Sequence, residues 1–298
     1  MERKEHVQQV RLSDVDSSDP LVSYSDGEIA FLDTLRDVPG TSAVQADAYI
    51  IGHCLCGHLR FGMGDEQVEV RAGQVVICPP HVLVHDAVGS EDFSIKAMFI
   101  SDRLVRSLLF KQLDHWNRAI FVHKRRVLTL PAMNRQAAVG YFNLAQYILR
   151  ERSGALQREI TTSFFQTMLL EFCALLTDTQ EADSAETSAG QGAVRLFDRF
   201  LEFLSSGGIV RRSVAECAGQ LYVTPKYLSA VCKLQSGRSA SAWIQDYVTQ
   251  DLRYCLRSTN MSMKEIAVRL GFPSTSFLGK YCRRTLGMSP KAYRAASK

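Results

Sequence analysis

An internal repeat in the last third of the chain constrains the fold more than any other feature. Shifting the sequence by 50 positions superposes Thr224 on Ser274, Tyr227 on Phe277, Leu228 on Leu278 and Cys232 on Cys282. The same shift places Lys233 on Arg283, Gly237 on Gly287, Ser239 on Ser289 and Trp243 on Tyr293. Just upstream the offset is 49, with Ser213 and Glu216 matching Ser262 and Glu265, and Ala218 matching Ala267. Each copy opens on a serine with a glutamate three residues later, a capping box: the serine oxygen accepts the N3 amide while the glutamate reaches back to the serine amide. A small alanine follows, where a second helix has to approach closely. After a short turn, Thr224 with Pro225 at the first helical position, or Ser274, caps a second helix. Helix, short turn and basic helix, written twice, predict two helix-turn-helix units. Between them Ile244, Val248, Leu252 and Leu256 recur at four-residue steps and predict one continuous connecting helix. Another amphipathic helix precedes the repeat, from about 193 to 205, with Val194, Phe197, Leu201 and Leu204 inward.

Charge divides the chain at the same place. Residues 1–192 hold 18 Lys/Arg and 25 Asp/Glu, a balance of −7; residues 193–298 hold 17 and 6, a balance of +11. A basic third behind an acidic remainder is the electrostatic footprint of a polyanion binder. The stretch from Thr177 to Gly192 has no large apolar residue and four acids, so it cannot bury a core and reads as a solvated linker. No apolar run approaches the roughly 18–20 residues of a bilayer crossing. No apolar segment follows Met1 to His6, so no secretory leader is expected. Eight cysteines, at 54, 56, 78, 173, 217, 232, 255 and 282, form no Cys-x-x-Cys pair and suit reduced thiols in a cytoplasm.

Residues 20 to about 100 look strand-rich. Gly57, Gly62, Gly64, Gly73, Pro79, Pro80 and Gly89 punctuate short runs. The run Tyr49 to Cys56 is apolar on both alternating faces, as in a strand covered on both sides. Val68 and Val70 alternate with charged neighbours, and Phe93, Ile95, Ala97 and Phe99 alternate again. Strands of this length with glycine turns suggest a small β-barrel or sandwich. From 101 to 178 the period becomes helical, with Phe142, Ala145 and Leu149, then Ile160, Phe164, Met168 and Leu175, marking two helices. The first unit is therefore strands followed by helices, an α+β pattern.

Residues 209 to 294 resemble the DNA-binding domain of the AraC/XylS family of transcription regulators, which has two helix-turn-helix units joined by a long helix. The stretch that carries the resemblance is Ile266, Ala267, Gly271, Phe272, Pro273, Phe277, Leu278, Gly279, Lys280, Arg283, Arg284, Gly287, Met288, Ser289, Pro290, Tyr293 and Arg294. The first unit departs from the pattern: Ala230 stands where a basic residue is frequent, and Val248 replaces a frequent Arg. The N-terminal part is similar, more loosely, to that family's regulatory half, a cupin-like barrel followed by helices.

The resemblance implies three segments: 1–178 as a cupin-like ligand-binding and dimerisation domain, 179–192 as linker, and 193–298 as the DNA-binding domain. Lys226, Ser229 and Lys233 on the first recognition helix occupy positions similar to the family's DNA-facing ones. On the second helix these are Thr275, Ser276, Gly279, Lys280 and Arg283. Lys and Arg can pair with guanine edges or phosphates, Ser and Thr with bases or backbone, and Gly279 would permit close approach. The expected protein is a ligand-responsive, sequence-specific regulator of promoter DNA, more an activator than a repressor. It would be a cytoplasmic, nucleoid-associated homodimer whose partners include a small-molecule effector and RNA polymerase. Tyr49, Ile51, His53 and Leu55 form one alternating face and are assigned to the effector; Ile50, Cys54 and Cys56 on the other face are the alternative.

Two other constellations carry chemistry on paper. His53, Cys54, Cys56 and His58 lie in one run and His81 and His85 in another, and imidazole and thiolate are zinc or iron ligands. A regular strand, however, puts His53 opposite the other three, so packing or pocket lining is expected and no metal or cofactor. No Gly-x-Ser-x-Gly elbow or phosphate-cradling glycine loop occurs, and no catalytic residues are expected. The run Lys124, Arg125, Arg126 could touch DNA, although a short charge run is usually a solvated face. Rival classes are a metal-dependent cupin enzyme with a DNA-binding appendage, and a degenerate helix-turn-helix that binds protein.

Overall fold

The computed structural model describes residues 7–15, 18, 19, 21–36, 43–64, 66–109, 112–130, 132–150, 154–178, 191–206 and 213–296. The chain divides into two compact units, Met1–Ala185 and Glu186–Lys298. Of the linker expected at 179–192, residues 179–190 lie outside the described residues. Its last two, Gln191 and Gly192, already belong to a helix.

The first unit contains eleven described strands: β1 (Val7–Val10), β2 (Val22–Ser25), β3 (Ile29–Leu35), β4 (Ala43–Ala46), β5 (Ala48–Cys56), β6 (His58–Met63), β7 (Glu66–Arg71), β8 (Gln74–Cys78), β9 (Leu83–Gly89), β10 (Ser94–Ser101) and β11 (Val127–Thr129). They form two sheets, ordered β1-β4-β9-β6-β7 and β11-β8-β5-β10-β3-β2. The domain is cupin-like, but no ladder among the described residues joins one sheet to the other. Barrel and sandwich bury the same alternate residues, which is why periodicity alone leaves them open. Between the sheets, Cys54, Val76, Cys78 and Ile95 from one side meet Leu59, Phe61, Met63, Val70 and Ala87 from the other.

The opposite face of the six-stranded sheet is covered by helices. These are α1 (Asp102–Leu108), α2 (Leu113–Asn117), α3 (Ala132–Arg150) and α4 (Gln157–Asp178), with a π-helical turn at Arg118–Val122. Phe31 meets Phe142 edge-on at 5.9 Å, and Tyr49 meets Trp116 edge-on at 5.5 Å. Edge-to-face contacts align the positive ring edge with a negative face. Sheet, sheet and helices thus form three layers, with β5 buried on both sides.

The basic run at Lys124 to Arg126 is neither a solvated face nor a free cationic patch. Lys124 and Arg126 both pair with Glu66, Arg126 at 3.5 Å, and the Arg125 guanidinium donates to the Leu176 carbonyl at 2.6 Å. The run ties β7 and α4 to the segment leading into β11.

The second unit is all helical: α5 (Gln191–Ser206), α6 (Val214–Gln220), α7 (Pro225–Ser236), α8 (Ala240–Ser258), α9 (Met263–Arg269), α10 (Thr275–Leu286) and α11 (Pro290–Ala296). The stripe Ile244, Val248, Leu252 and Leu256 of α8 is buried along its length. Burying each such side chain contributes about 1.5–3 kcal/mol. Phe197 of α5 packs edge-on against Trp243 of α8 at 5.7 Å, and the indole N–H donates to Ser236 Oγ at 2.8 Å. Tyr281 of α10 donates its hydroxyl to the Gln245 carbonyl at 3.0 Å. Arg294 of α11 donates to the carbonyls of Leu256 and Cys255 at 3.2 and 3.3 Å. Each of these bonds satisfies a polar atom at the packed surface of α8 or at its end.

One carboxylate oxygen of Asp251, on α8, is buried without a hydrogen-bond partner. Burial, against the opposing charge of Arg269, pushes its carboxyl up to about 7. The folded chain thus holds a proton that the unfolded chain releases near pH 4, so stability falls as pH rises between those values. We expect Asp251→Asn to raise the melting temperature at pH 8 and to change it little at pH 4.5. A thermal melt showing an equal change at both pH values would refute the assignment.

Candidate nucleic-acid interface

The two helix-turn-helix units are built from the same main-chain hydrogen bonds. Ser213 accepts from the Glu216 amide at 3.2 Å while Glu216 accepts from the Ser213 amide at 2.5 Å. In the second unit Ser262 and Glu265 make the same pair at 3.2 and 2.6 Å. At the far end of α6 the amides of Tyr222 and Val223 donate to Gly219 and Ala218, and at the end of α9 those of Gly271 and Phe272 donate to Val268 and Ala267. This is the Schellman closure, which requires a left-handed residue just past the helix. Gly271 fills that position at φ 68°, Tyr222 at φ 59°. A side chain at positive φ costs roughly 1–2 kcal/mol that glycine avoids. The second turn is one residue longer because Pro273 is inserted before the cap, which accounts for the change of offset from 49 to 50.

The recognition helices α7 and α10 begin at Thr224 and Ser274, whose hydroxyl oxygens accept from the amides of Tyr227 and Phe277 at 3.2 and 3.4 Å. Both helices end on left-handed glycines, Gly237 and Gly287. Leu228, Cys232, Leu278 and Cys282 point inward and are fully buried. Lys226 and Lys233 are exposed on α7, with Ser229 half-buried; Thr275, Ser276, Lys280 and Arg283 are exposed on α10. Seven of the eight expected contact residues therefore lie at least partly open on the two helices.

Gly279 does not. It is buried, and Arg283 folds back along α10 to donate from Nε to the Gly279 carbonyl at 3.3 Å. A Cβ there would meet only the tip of Arg283, at 3.5 Å. Gly279 is thus not presented as bare backbone for close approach. Two side chains that the sequence reading did not assign stand beside these residues. Tyr227 is 50 % exposed and Phe277 52 %, at the same register of the two helices. Their superposition under the 50-residue shift was the available signal. Lys280 Nζ lies 5.9 Å from the centroid of the Phe277 ring, so charge and ring share one face. Within the C-terminal unit, a cleft of about 450 Å³ opens between the two helix-turn-helix motifs, lined in part by Ser213, Glu216, Ile244, Gln245, Tyr281 and Arg284.

In the first unit, the face of β5 assigned to the effector does not look between the sheets. Tyr49, Ile51 and His53 are buried against the helices, His53 stacking on Phe142 at 6.4 Å. Leu55 is half-buried at a register shift between β5 and β10. The sheet interior is lined by Ile50 and Cys54 instead. Burial, reinforced by the Lys96 charge, lowers the pKa of His53, and its Nδ1 is buried without a hydrogen-bond partner. The other histidines and cysteines of the paper metal site are dispersed. Cys54 points between the sheets and Cys56 is exposed. The ring nitrogens of His85 lie 2.8 Å from Asp86 Oδ2 and 3.2 Å from the Gly64 carbonyl. That ring fits over β6 because Gly62 has no side chain; a Cβ there would stand 2.2 Å from it. Among the described residues, no three His, Cys, Asp or Glu side chains gather as a metal site. Burial pushes the thiols of Cys78, Cys173 and Cys232 up to about 12 and those of Cys54 and Cys282 to about 11, which keeps these five protonated and poorly nucleophilic.

Comparison with known proteins adds two family matches. Residues 217–296 match the helix-turn-helix domain and residues 40–114 the AraC-like ligand binding domain. The regulatory protein PocR of Salmonella typhimurium is 26 % identical over 129 residues, which are 42 % of this chain and 42 % of PocR. The chain thus spans about two-fifths of the length of the curated relative it matches. Among solved structures, ToxT from Vibrio cholerae is 15 % identical, with 90 % of this chain and 98 % of that one covered at a TM-score of 0.34. The C-terminal domain of AraT from Geobacillus stearothermophilus is 24 % identical over 34 % of this chain and 84 % of its own, at a TM-score of 0.32.

Proposed function

We infer that this chain, which belongs to the AraC/XylS family of transcription regulators, is a ligand-responsive regulator that reads specific sequences in double-stranded promoter DNA. The observation that carries the reading is the pair of capped, exposed recognition helices on one connecting helix, in the third of the chain that holds a charge of +11. Residues 193–298 would bind DNA, with α7 and α10 in successive major grooves on one face of the duplex, about 34 Å apart. Lys226, Ser229, Lys233, Thr275, Ser276, Lys280 and Arg283 would make the contacts. Residues 1–178 would bind the effector and dimerise, with 179–192 as linker. Activation through RNA polymerase in the cytoplasm, at the nucleoid, completes the reading.

His53 supports the assignment of the effector to the helix-facing side of β5, with Tyr49, Ile51 and Leu55. Its Nδ1 is buried without a hydrogen-bond partner, and a polar group of a small molecule would satisfy it. On α3, Leu144 and Tyr147 are exposed three residues apart, on one face. They supply an apolar contact for a symmetric pair, the commonest assembly.

Three outcomes follow from this reading. Lys280→Ala should cost about 1–3 kcal/mol of binding and relax specificity at particular base pairs, whereas Arg283→Ala should weaken all sequences alike and flatten the salt slope by about one unit. Titration of both variants against a selected site and scrambled DNA at several salt concentrations checks this; equal, sequence-independent losses would mean that Lys280 reads no base. Sedimentation of the full chain at micromolar concentration should give a dimer, and Leu144→Glu with Tyr147→Glu a monomer. A wild-type monomer would remove α3 as an interface. Native mass spectrometry after exposure to cell extract should find a small molecule on the wild type and not on His53→Phe, and equal retention by both would place the effector elsewhere.

A further inference from the structure

Tyr227 and Phe277 are the third residues of α7 and α10, within the N-terminal turn that meets base edges when a recognition helix enters the major groove. Each ring leaves about half its surface in solvent, although the inward position beside it is filled by Leu228 or Leu278, both fully buried. The core therefore has no place for these rings, and their exposure recurs at the same register in two copies of one motif. A phenyl ring has no donor or acceptor, so Phe277 cannot read a base by hydrogen bonding. What it can meet in the groove is the one apolar group displayed there, the C5-methyl of thymine. The placement of Lys280 over the Phe277 ring presents that ring and a cation to neighbouring base pairs. On α7 the corresponding partner is Ala230, exposed, and one turn further on Leu234, which is also exposed. The open face of the first helix is accordingly apolar where that of the second carries Lys280 and Arg284.

We propose that Tyr227 and Phe277 are specificity-determining residues, each packing its ring on a thymine methyl in the major groove. Each half-site then requires a T·A pair opposite the third residue of its helix, and the first half-site depends on methyl contacts more than the second. Ala230, small and apolar, admits the methyl where a long basic side chain would cover it. The proposal rests on the DNA-reading function inferred above.

The test uses the full chain and a duplex selected by it from a random pool. The duplex is resynthesised with deoxyuridine at each thymidine in turn, which removes only the C5-methyl. We expect one position in each half-site where this change weakens binding about fourfold, the value of one buried methyl group. Phe277→Ala should lose the sensitivity in one half-site and keep it in the other, and Tyr227→Ala the reverse. Unaltered binding of both variants to scrambled DNA would show that they fold. A selected site without thymine in either half, or an affinity indifferent to every deoxyuridine, overturns the proposal while leaving the regulator intact. So does a sensitivity that neither variant changes. If the full chain retains no duplex even at low salt, the DNA-reading function itself fails, and this proposal with it.

Discussion

Both helix-turn-helix units rest on one apolar stripe, and the geometry of the interface depends on it. Ile244, Val248, Leu252 and Leu256 run along α8, and the units that precede and follow that helix pack against it. Trp243 locks the first unit to the start of α8 through Ser236 and Phe197, with the Arg238 guanidinium 4.5 Å above its ring. Tyr281 locks the second through the Gln245 carbonyl and Thr249, whose hydroxyl lies 2.8 Å away. A helix rises 1.5 Å per residue, so the separation of the recognition helices is set by the length of α8. Spacing is therefore a property of the core, and the exposed residues only fill a frame already fixed.

The caps explain why this half was readable in the sequence. A capping box involves residues three apart, and each of the two was visible without knowledge of tertiary contacts; the Schellman turns are equally local. Even the slip from 49 to 50 had a local cause, the added Pro273. What the repeat could not show was where side chains of the same helix lie on one another. Gly279 reads as an opening in the surface until Arg283 is seen folded over it. The repeat pairs Tyr227 with Phe277 but gives neither ring a side of its helix; that Leu228 and Leu278 take the inward positions is visible only in the structure.

The first unit was harder to read for a different reason. β5 is apolar on both faces because one looks between sheets and the other under helices, so alternation cannot say which is which. Alternation groups Tyr49, Ile51 and His53 on one face, and only the contacts with Trp116 and Phe142 show that this face lies under the helices. The Lys124 to Arg126 run illustrates the same limit in charge. Its partner Glu66 is nearly sixty residues away, and no local pattern records an ion pair at that distance. Non-local contacts decide this half, whereas local contacts decide the other.

The corner between α6 and α7 has a consequence for how the interface can vary. Its hydrogen bonds, from the amides of Tyr222 and Val223, belong entirely to the main chain. The Tyr222 side chain, 90 % exposed, takes no part in them. Position 222 can therefore exchange its side chain without altering the angle between the helices, as Gly271 does in the second copy. The frame is modular at that point. Its conformational strain and whatever its side chain touches are independent variables, open to separate adjustment as the sequence drifts.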